Sequence, residues 1–417
     1  MTCVRLLKSV GQIQKSSLLG VQFGAMNVVV VGGCGHVGLP LSVALANSGH
    51  SVNAFDISAN SVNQVNSGKS PFWEPALDDG LSTALQMGFT ATLDSECIES
   101  AEIVIVIVGT PLDIHLNPDP NAVVKAVEDI AKHLSSSQLL VLRSTVFPGV
   151  TKEVERLLDR LNLMTQVVFC PERIAEGFAM KELSELPQII GTRNSESFTR
   201  ASNLFTSLGV KVVRTTPEEA ELAKLFTNTW RYIKFAAANQ FWMMANDSGV
   251  NFDNVREAIR FEYPRAADFP AAGFTAGPCL FKDTMQLSAF SNNTFALGNS
   301  AMMINEGLPL YVVEKLSQKY DISKTKIGLL GMAFKGESDD NRSSLAYKLK
   351  RILKFKSAGV LTSDPYVKND SELVSEKQVL EESDLLIISA PHLRYKTLVS
   401  DKPIVDIWNL RGNGSSV

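Results

Sequence analysis

The sequence contains few cysteines, and their distribution excludes two kinds of site. Five occur in 417 residues, and no two of them form a CxxC pair: Cys3, Cys34, Cys97, Cys170 and Cys279. An odd, scattered set does not provide the paired framework of a disulfide-rich secreted domain, and it lacks the spacing of a cysteine zinc site. We therefore expect no metal site and a reducing, cytoplasmic compartment.

The chain also lacks an excess of charge of either sign. It has 40 Lys and Arg against 44 Asp and Glu, a formal net charge of -4, and 45% hydrophobic residues, which is typical of an ordinary globular protein. Nothing in this balance indicates a nucleic-acid partner. The longest stretch of low charge, residues 28–46, is interrupted by four glycines and a proline, so it predicts strand, turn and helix rather than a membrane span.

Residues 1–25 carry Arg5, Lys8 and Lys15, several serines and no acidic residue, a composition typical of a transit segment. The alternative, which we favour, is that Met26, directly before the first strand pattern, is the true start. We exclude this extension from the fold. The remaining length predicts two or three domains.

A dinucleotide-binding unit is predicted from Asn27 onward. The run NVVVV is typical of a buried parallel strand, and GGCGHVG follows it. Gly33, Gly35 and Gly38 fit GxGxxG, in which the first glycine permits a tight turn, the second admits a phosphate, and the third lets the next helix pack closely. A second strand ends at Asp56, 21 positions after Gly35 (56 − 35). An acid there accepts from ribose hydroxyls and repels a 2′-phosphate, which favours NAD over NADP.

Three further strand patterns follow. One ends near Pro111, and the other two begin at Gln138 and at Gln166. Because the carboxyl ends of parallel strands line one crevice, the polar residues just beyond them are candidate ligands. Each could equally be a cap or turn residue. The set comprises Thr110, Ser144, Thr145, Glu172 and Glu176.

Long helical patterning follows from Pro217 to about Leu287. Lys224 and Asn228, four residues apart, share one face of the first helix. A helical lysine is usually solvated; the apolar neighbours of Lys224 are compatible with partial burial, and the sequence leaves the choice open.

After residue 322 the chain is similar to its own beginning. KIGLLGMAFK has the strand–turn pattern of the first strand and its glycines, and GVLTSD ends in Asp364 as SVNAFD ends in Asp56.

The C-terminal copy lacks a complete GxGxxG, which favours a different nucleotide with Lys335 near its phosphates, the alternative being a purely structural domain. We predict an α/β protein with two doubly wound Rossmann-like domains joined by a helical central domain. The boundaries are 26–214 for the NAD domain, 215–321 for the helical domain and 322–417 for the second Rossmann-like domain.

The stretch GFTAGPCLFKD places Cys279 behind a glycine and a proline. A lone cysteine usually fills a core. If a helix starts at about Pro278, however, Cys279 lies in its first turn, where the helix end lowers a thiol pKa, and Asp283 shares its face. The glycine-rich run from Gly273 admits a substrate. A thiol, a lysine and carboxylates in a nicotinamide enzyme favour two hydride transfers separated by a covalent thiohemiacetal, the second of which gives a thioester that water cleaves.

Seven motifs in order resemble the UDP-glucose/GDP-mannose dehydrogenases, a family of nucleotide-sugar 6-dehydrogenases. The likeness extends from about Met26 to the end of the chain. It comprises GCGHVG, VGTPLD, STVFPG, PERIAEG, Lys224 with Asn228, GPCLFKD, and LGMAFKGESDDNRSS.

The resemblance implies roles for individual positions. Cys279 matches the nucleophile, Lys224 and Asn228 the groups that stabilise oxyanions. The residues that match those organising the hydrolytic water are Asp283, Glu176 and Thr110, and Glu172 matches an active-site glutamate. The implied NAD contacts are Gly33, Gly35, His36, Val37, Gly38, Asp56, Thr110 and Thr145. The implied substrate contacts are Lys224, Gly273, Lys335, Arg342 and Arg265. The resemblance also implies that residues 322–417 form a nucleotide-sugar-binding domain and that the central helices form a homodimer.

The motifs indicate two candidate sugars. PER at 171–173 and YPR at 263–265 resemble members acting on UDP-N-acetylhexosamines, whereas AEG and CLFKD resemble the UDP-glucose members. Gly277 and Pro278 stand where the family has a glycine pair, which removes one backbone donor. We favour a UDP-N-acetylhexosamine, with UDP-glucose as the alternative. Two rivals are a 6-phosphogluconate or β-hydroxyacid type dehydrogenase, which needs no thiol, and a non-catalytic nucleotide-binding protein.

Overall fold

The structure is a computed structural model that describes residues 24–110, 119–274, 277–415 and 417. Its strands are β1 (Asn27–Val31), β2 (Ser51–Phe55), β3 (Thr90–Thr92), β4 (Ile103–Val106), β5 (Leu139–Leu142), β6 (Gln166–Phe169), β7 (Gln188–Gly191), β8 (Val212–Thr215), β9 (Lys326–Leu330), β10 (Gly359–Ser363), β11 (Leu385–Ile388) and β12 (Ile404–Asp406). Its α-helices are α1 (Gly38–Asn47), α2 (Ala59–Asn66), α3 (Leu77–Gln86), α4 (Ala122–Ile130), α5 (Val150–Arg160), α6 (Ala179–Glu182), α7 (Ser195–Thr206), α8 (Pro217–Asp247), α9 (Phe252–Arg260), α10 (Gly277–Phe290), α11 (Ala296–Lys319), α12 (Leu345–Lys356) and α13 (Glu376–Glu382).

The first sheet has the order β3-β2-β1-β4-β5-β6-β7-β8. All neighbours are parallel except β6 and β7, which pair antiparallel. Alternate residues of each central strand enter the cores on opposite faces: Val28 and Val30 pack in one, Val29 and Val31 in the other. This two-sided burial explains the continuous apolar runs, because helices cover both faces of a parallel sheet.

The second sheet, β10-β9-β11-β12, is parallel throughout. Ile327 and Leu329 of β9 pack in one apolar cluster, and Leu330 packs in another. The strand β9 lies between β10 and β11 as β1 lies between β2 and β4. The prediction of two doubly wound Rossmann-like domains with helices between them is confirmed.

The described chain divides into two compact units, and α8 runs through the boundary between Lys224 and Leu225. The second unit contains the helices α9, α10 and α11 together with the four-stranded sheet. The predicted domain boundaries at residues 214 and 321 stay a prediction. The predicted N-terminal extension, as far as residue 23, lies outside the described residues. Among the helices of the described part, none has the length and apolar character needed to cross a bilayer.

Candidate active site

The glycine-rich turn after β1 leaves an open backbone at one position. A Cβ on Gly35 would meet only the Gly32 carbonyl oxygen, at 3.6 Å, and Gly35 is exposed. In contrast, Gly32 has φ +78°, and a Cβ there would lie 2.0 Å from the Ile107 oxygen. The tight-turn role predicted for Gly33 therefore belongs to Gly32. A Cβ on Gly33 would lie 2.6 Å from the Cβ of Ala54, and one on Gly38 would lie 2.2 Å from the Gly32 oxygen, so these two glycines permit close packing.

Asp56 lies directly after β2, where its carboxylate is held but still partly exposed. Oδ2 accepts from the Cys34 N–H at 3.0 Å and Oδ1 from the Ser58 N–H at 3.0 Å. Both bonds fix the carboxylate at the mouth of the sheet, next to the open backbone of Gly35. His36 and Val37 complete the turn, and the His36 ring stacks on Phe72 with centroids 4.1 Å apart. These residues fit the ribose and pyrophosphate of NAD.

The ends of β4 and β5 meet as the sequence predicts. Thr110 donates from Oγ1 to the carbonyl of Thr145 at 2.9 Å. Ser144 accepts from the Val108 N–H at 2.8 Å and donates to the Val108 carbonyl at 2.9 Å. The hydroxyl of Ser144 therefore joins two strand ends, which is the turn role, while Thr110 and Thr145 lie beside it.

Glu172 is bound on both oxygens by its own surroundings. Oε2 pairs with the guanidinium of Arg143, which is buried, and Oε1 accepts from the N–H groups of Arg173 and Ile174 at 2.6 and 2.8 Å. Arg143 also donates to the Gln188 side chain at 2.8 Å. The geometry favours a carboxylate that shapes the turn after β6. The predicted role of Glu172 as an active-site glutamate stays a prediction.

The turn that carries Glu176 is anchored by a residue that sequence reasoning missed. Glu74, buried at the end of the stretch PFWE, accepts from the Gly177 N–H at 2.6 Å and from the Ala179 N–H at 2.9 Å. Gly177 is 103 residues away in the chain. In the sequence, Glu74 stands out only as an acid beside aromatic residues and prolines, and this does not identify a partner 103 residues away.

Glu221 anchors the beginning of α8 in a similar way. Its buried carboxylate accepts from the Gly149 N–H at 2.7 Å, the Thr151 N–H at 2.8 Å and the Thr151 hydroxyl at 2.6 Å, which caps the start of α5. Lys224 follows three residues later and is only 8% exposed. The question that the sequence left open is therefore decided in favour of burial.

One turn beyond Lys224, the side chain of Asn228 meets Asp283 of α10. Asn228 donates from Nδ2 to Asp283 Oδ2 at 2.6 Å, and both residues are buried, Asp283 completely. The ammonium of Lys282 lies 3.8 Å from Asp283 Oδ1. Within the described residues, Oδ1 accepts no hydrogen bond. A buried carboxylate with one committed and one available oxygen can accept a proton from a hydroxyl or a water.

Cys279 lies in the first turn of α10, which begins at Gly277, one residue before the predicted start. The residue is exposed, and Asp283 stands one helical turn further on. The other described cysteines have raised pKa values. Burial raises the pKa of Cys170 to about 12, and burial together with the charge of Asp56 raises the pKa of Cys34 to about 12. Burial also raises the pKa of Cys97, to about 11. Exposure at a helix N-terminus is the environment of a reactive thiol, and the buried thiols are inert.

Two predicted substrate contacts of the second unit, Lys335 and Arg342, lie in the loop after β9, and a third, Arg265, follows α9. The ammonium of Lys335 lies 5.4 Å from the Phe334 ring centroid. Arg342 is exposed and donates from Nε and Nη2 to the Asp340 carboxylate at 2.9 and 2.6 Å. Arg265 is also exposed, and its Nε donates to the Tyr263 hydroxyl at 2.9 Å. Their substrate contacts stay predictions.

Asp364, the counterpart of Asp56, is sealed inside its turn. The carboxylate accepts at Oδ2 from the Met332 N–H at 2.6 Å and His392 Nε2 at 3.0 Å, and at Oδ1 from the Tyr366 N–H at 2.8 Å. Its side chain has no exposed area. The second unit therefore repeats the strand and the acid of the first, but the carboxylate of Asp364 is closed to a ribose.

This environment predicts acid sensitivity. Burial by itself would raise the pKa of Asp364, but the hydrogen bond and charge of His392 and the backbone N–H groups lower it to about 2 from 3.8. The ionised Asp364 carboxylate therefore stabilises the folded state by about 2 kcal/mol. This stabilisation is complete above pH 3.8 and is lost as the pH falls through about 2. In urea unfolding, Asp364→Asn should be less stable than the wild type at pH 5, with a difference that shrinks toward pH 2. A difference that does not change with pH would contradict the assignment.

Comparison with known proteins agrees with this arrangement. Three family models of the UDP-glucose/GDP-mannose dehydrogenases match, namely the NAD binding domain over residues 26–209, the central domain over 218–307 and the UDP binding domain over 328–413. The UDP-N-acetyl-D-mannosamine dehydrogenase of Pyrococcus horikoshii is 31% identical over 384 residues, which cover 89% of this chain and 90% of that protein. The enzyme of the same name from Methanococcus vannielii is 30% identical over 90% of this chain and 88% of its own.

Solved structures give the same result. The UDP-D-ManNAc dehydrogenase of Pyrococcus horikoshii has a TM-score of 0.86 at 30% identity and covers 92% of this chain and 96% of its own. A UDP-glucose dehydrogenase of Pyrobaculum islandicum has a TM-score of 0.87 at 26% identity, over 94% and 96% of the two chains. NAD is the cofactor that the first sheet of the present chain binds. The chain is an NAD-dependent dehydrogenase and belongs to the UDP-glucose/GDP-mannose dehydrogenase family.

Proposed function

We propose that this enzyme oxidises the C6 hydroxyl of a UDP-N-acetylhexosamine to a carboxylate, with formation of two NADH. The observation that carries the proposal is the exposed thiol of Cys279 in a first helical turn, one turn before a buried carboxylate. Two curated relatives at 31% and 30% identity are UDP-N-acetyl-D-mannosamine dehydrogenases, which supports this substrate class. The UDP binding domain that matches residues 328–413 supports the nucleotide.

The proposed reaction has two oxidation steps. NAD, when bound at the first sheet, would supply the hydride acceptor for both steps. In the first, the C6 hydroxyl loses its proton and C6 loses a hydride, which gives an aldehyde. The Cys279 thiolate then adds to the aldehyde carbon and the oxygen takes up a proton, which gives a thiohemiacetal. In the second, the thiohemiacetal loses its hydroxyl proton and a hydride to become a thioester. Water then cleaves the carbon–sulfur bond, which releases the carboxylate and the thiol.

The other polar groups stabilise charge and move protons in this proposal. Lys224 and Asn228, one turn apart on α8, stabilise the oxygen that becomes negative during addition and hydrolysis. Asp283 takes a proton from the attacking water, a role for which its second oxygen is available. Glu176 and Thr110 orient that water. Glu172 keeps the shape of the turn that carries Glu176.

The proposed chemistry is tested by stoichiometry. With purified enzyme, excess NAD and limiting UDP-N-acetylmannosamine or UDP-N-acetylglucosamine, we expect two NADH and one uronate for each sugar consumed. One NADH per substrate would favour the β-hydroxyacid type of dehydrogenase, and no NADH with any sugar nucleotide would favour a binding protein. UDP-glucose belongs in the same panel, because the CLFKD motif and the likeness to a UDP-glucose dehydrogenase structure favour it as second candidate. A higher kcat/KM for UDP-glucose would overturn the sugar assignment.

We also propose that two copies associate through α8. Four large apolar side chains project from one face of this helix, and each is at least half exposed: Phe226, Trp230, Phe241 and Met244. A contiguous exposed apolar face of this size marks an interaction surface, and a second copy supplies a complementary one. Analytical ultracentrifugation should show a dimer that Trp230→Glu weakens. A monomeric wild-type protein at micromolar concentration would contradict the proposal.

The compartment is proposed to be the cytoplasm. The four described cysteines are all thiols, among them the exposed Cys279. An enzyme with an exposed catalytic thiol needs a reducing environment. Cell fractionation that places the protein outside the cytoplasm would overturn this assignment.

A further inference from the structure

Two buried asparagines connect the segment before Cys279 to the central helices. Asn239 of α8 accepts on Oδ1 from the Gly273 N–H at 2.9 Å and donates from Nδ2 to Oδ1 of Asn305 at 2.9 Å. Asn305 of α11 in turn donates from Nδ2 to the carbonyl of Tyr232 at 3.2 Å. Neither asparagine has exposed area. All four amide heavy atoms therefore have a partner in a chain of three hydrogen bonds.

The direction of this chain is fixed by its two ends. The Gly273 N–H can only donate, and the Tyr232 carbonyl can only accept. If the amide of Asn239 turned over, its Nδ2 would face the Gly273 N–H and its oxygen would face that of Asn305. If both amides turned over, the oxygen of Asn305 would face the Tyr232 carbonyl. Each mismatch leaves buried polar atoms without partners, which costs about 1–3 kcal/mol apiece.

Gly273 is also confined by an aromatic ring. Its φ is +147°, and a Cβ at this position would lie 2.3 Å from Cε3 of the Trp408 indole. The backbone N–H of Gly273 therefore donates to Asn239, and the Trp408 indole occupies the space that a Cβ would need. Cys279 follows six residues later, in the first turn of α10. These contacts fix the backbone at Gly273.

We propose that Asn239 is a positioning residue for the thiol of Cys279, with Asn305 holding its amide in the required orientation. The inference rests on the proposed function, in which Cys279 is the nucleophile. Tyr232, where the hydrogen-bond chain ends, lies one turn after Asn228 on α8. The chain thus ties the thiol segment to the same helix that carries Lys224 and Asn228. Asn239 acts through Gly273.

The test compares Asn239→Leu with Asn246→Leu. Leucine has a similar size and no hydrogen-bonding atoms. Asn246 lies on the same helix, donates to the Tyr311 hydroxyl of α11 at 2.9 Å and accepts from the Val417 N–H at 3.2 Å, so it joins the same two helices without contact to the segment. We expect Asn239→Leu to lower kcat by about 10- to 100-fold with an unchanged KM for NAD, and Asn246→Leu to keep kcat within about twofold.

A second measurement does not depend on catalysis. Hydrogen exchange of the peptide containing Gly273 should accelerate at least tenfold in Asn239→Leu and stay unchanged in Asn246→Leu. If Asn239→Leu does not fold, Asn305→Leu takes its place and should shift exchange and kcat in the same direction. Equal effects of the two helix variants on kcat, or unchanged exchange at Gly273, would overturn the proposal. Full activity of Cys279→Ser would instead refute the proposed function, while the exchange result still decides whether Asn239 holds the segment.

Discussion

Replacing Cys279 with serine is expected to lower UDP-sugar oxidation by about 10⁴-fold or more in kcat. In the proposed reaction the second hydride comes from a carbon bound covalently to sulfur, and a serine hydroxyl at neutral pH is a much weaker nucleophile than a thiolate. Because Cys279 is exposed at the start of α10, the substitution does not create a cavity. We therefore expect normal thermal unfolding and normal NAD binding. Formation of NADH, followed by its absorbance, measures the loss.

The matched control for this substitution is Cys97→Ser. Cys97 is half-buried, and burial together with the charge of Asp94 raises its pKa to about 11, so it is not a nucleophile at neutral pH. This variant should retain kcat within about twofold. Two NADH per sugar from Cys279→Ser would show that the reaction does not pass through this thiol.

The second large effect is expected from Asp283→Asn, with a fall in kcat on the order of 10²- to 10³-fold. The amide keeps the volume of the side chain but accepts no proton from water. Hydrolysis of the thioester should slow more than its formation, so the variant should give a burst of NADH followed by a slow phase. Intact-protein mass spectrometry should then detect the chain with one sugar nucleotide attached.

Asp268→Asn is the control for this change of charge. Asp268 is exposed and accepts from the Lys234 ammonium at 2.8 Å. Its substitution removes one negative charge from the second unit without touching Asn228, and kcat should be unaffected. A loss of activity in Asp283→Asn without an accumulated adduct would place its role before the thioester.

The pattern of apolar runs and glycines was enough to predict the two parallel sheets. The strands β1, β4 and β5 are buried on both faces, and each reads as a continuous apolar run because helices cover both sides. The acid at the end of β2 could be predicted from its distance to the glycines. The buried strands and the acid after β2 each depend on residues that are close in sequence, so a local sequence pattern is enough to predict them.

The residues that hold the site together could not be predicted in this way. Glu74 binds a turn 103 residues away, Glu221 caps a helix 70 residues away, and Asn239 binds a segment 34 residues away. Their partners are backbone N–H groups, which every residue except proline has. No residue type at the far end marks such a contact. The assignment of the tight turn to Gly33 was wrong for a related reason, because the crowding at Gly32 comes from Ile107, the residue that follows the neighbouring strand β4.

The sequence by itself determined the fold class, the NAD-binding turn and the position of a thiol at the start of a helix, since periodicity and glycine spacing act over a few residues. Only the tertiary structure decided that Lys224 is buried, that Asp283 meets Asn228, and that Asp364 is closed to a ribose while Asp56 is partly open. Asp56 and Asp364 follow corresponding strands of the two sheets, but the exposure of their carboxylates differs because different residues surround them. His392, 28 residues beyond Asp364, donates to that carboxylate, and exposure of this kind is set by residues that only folding brings together.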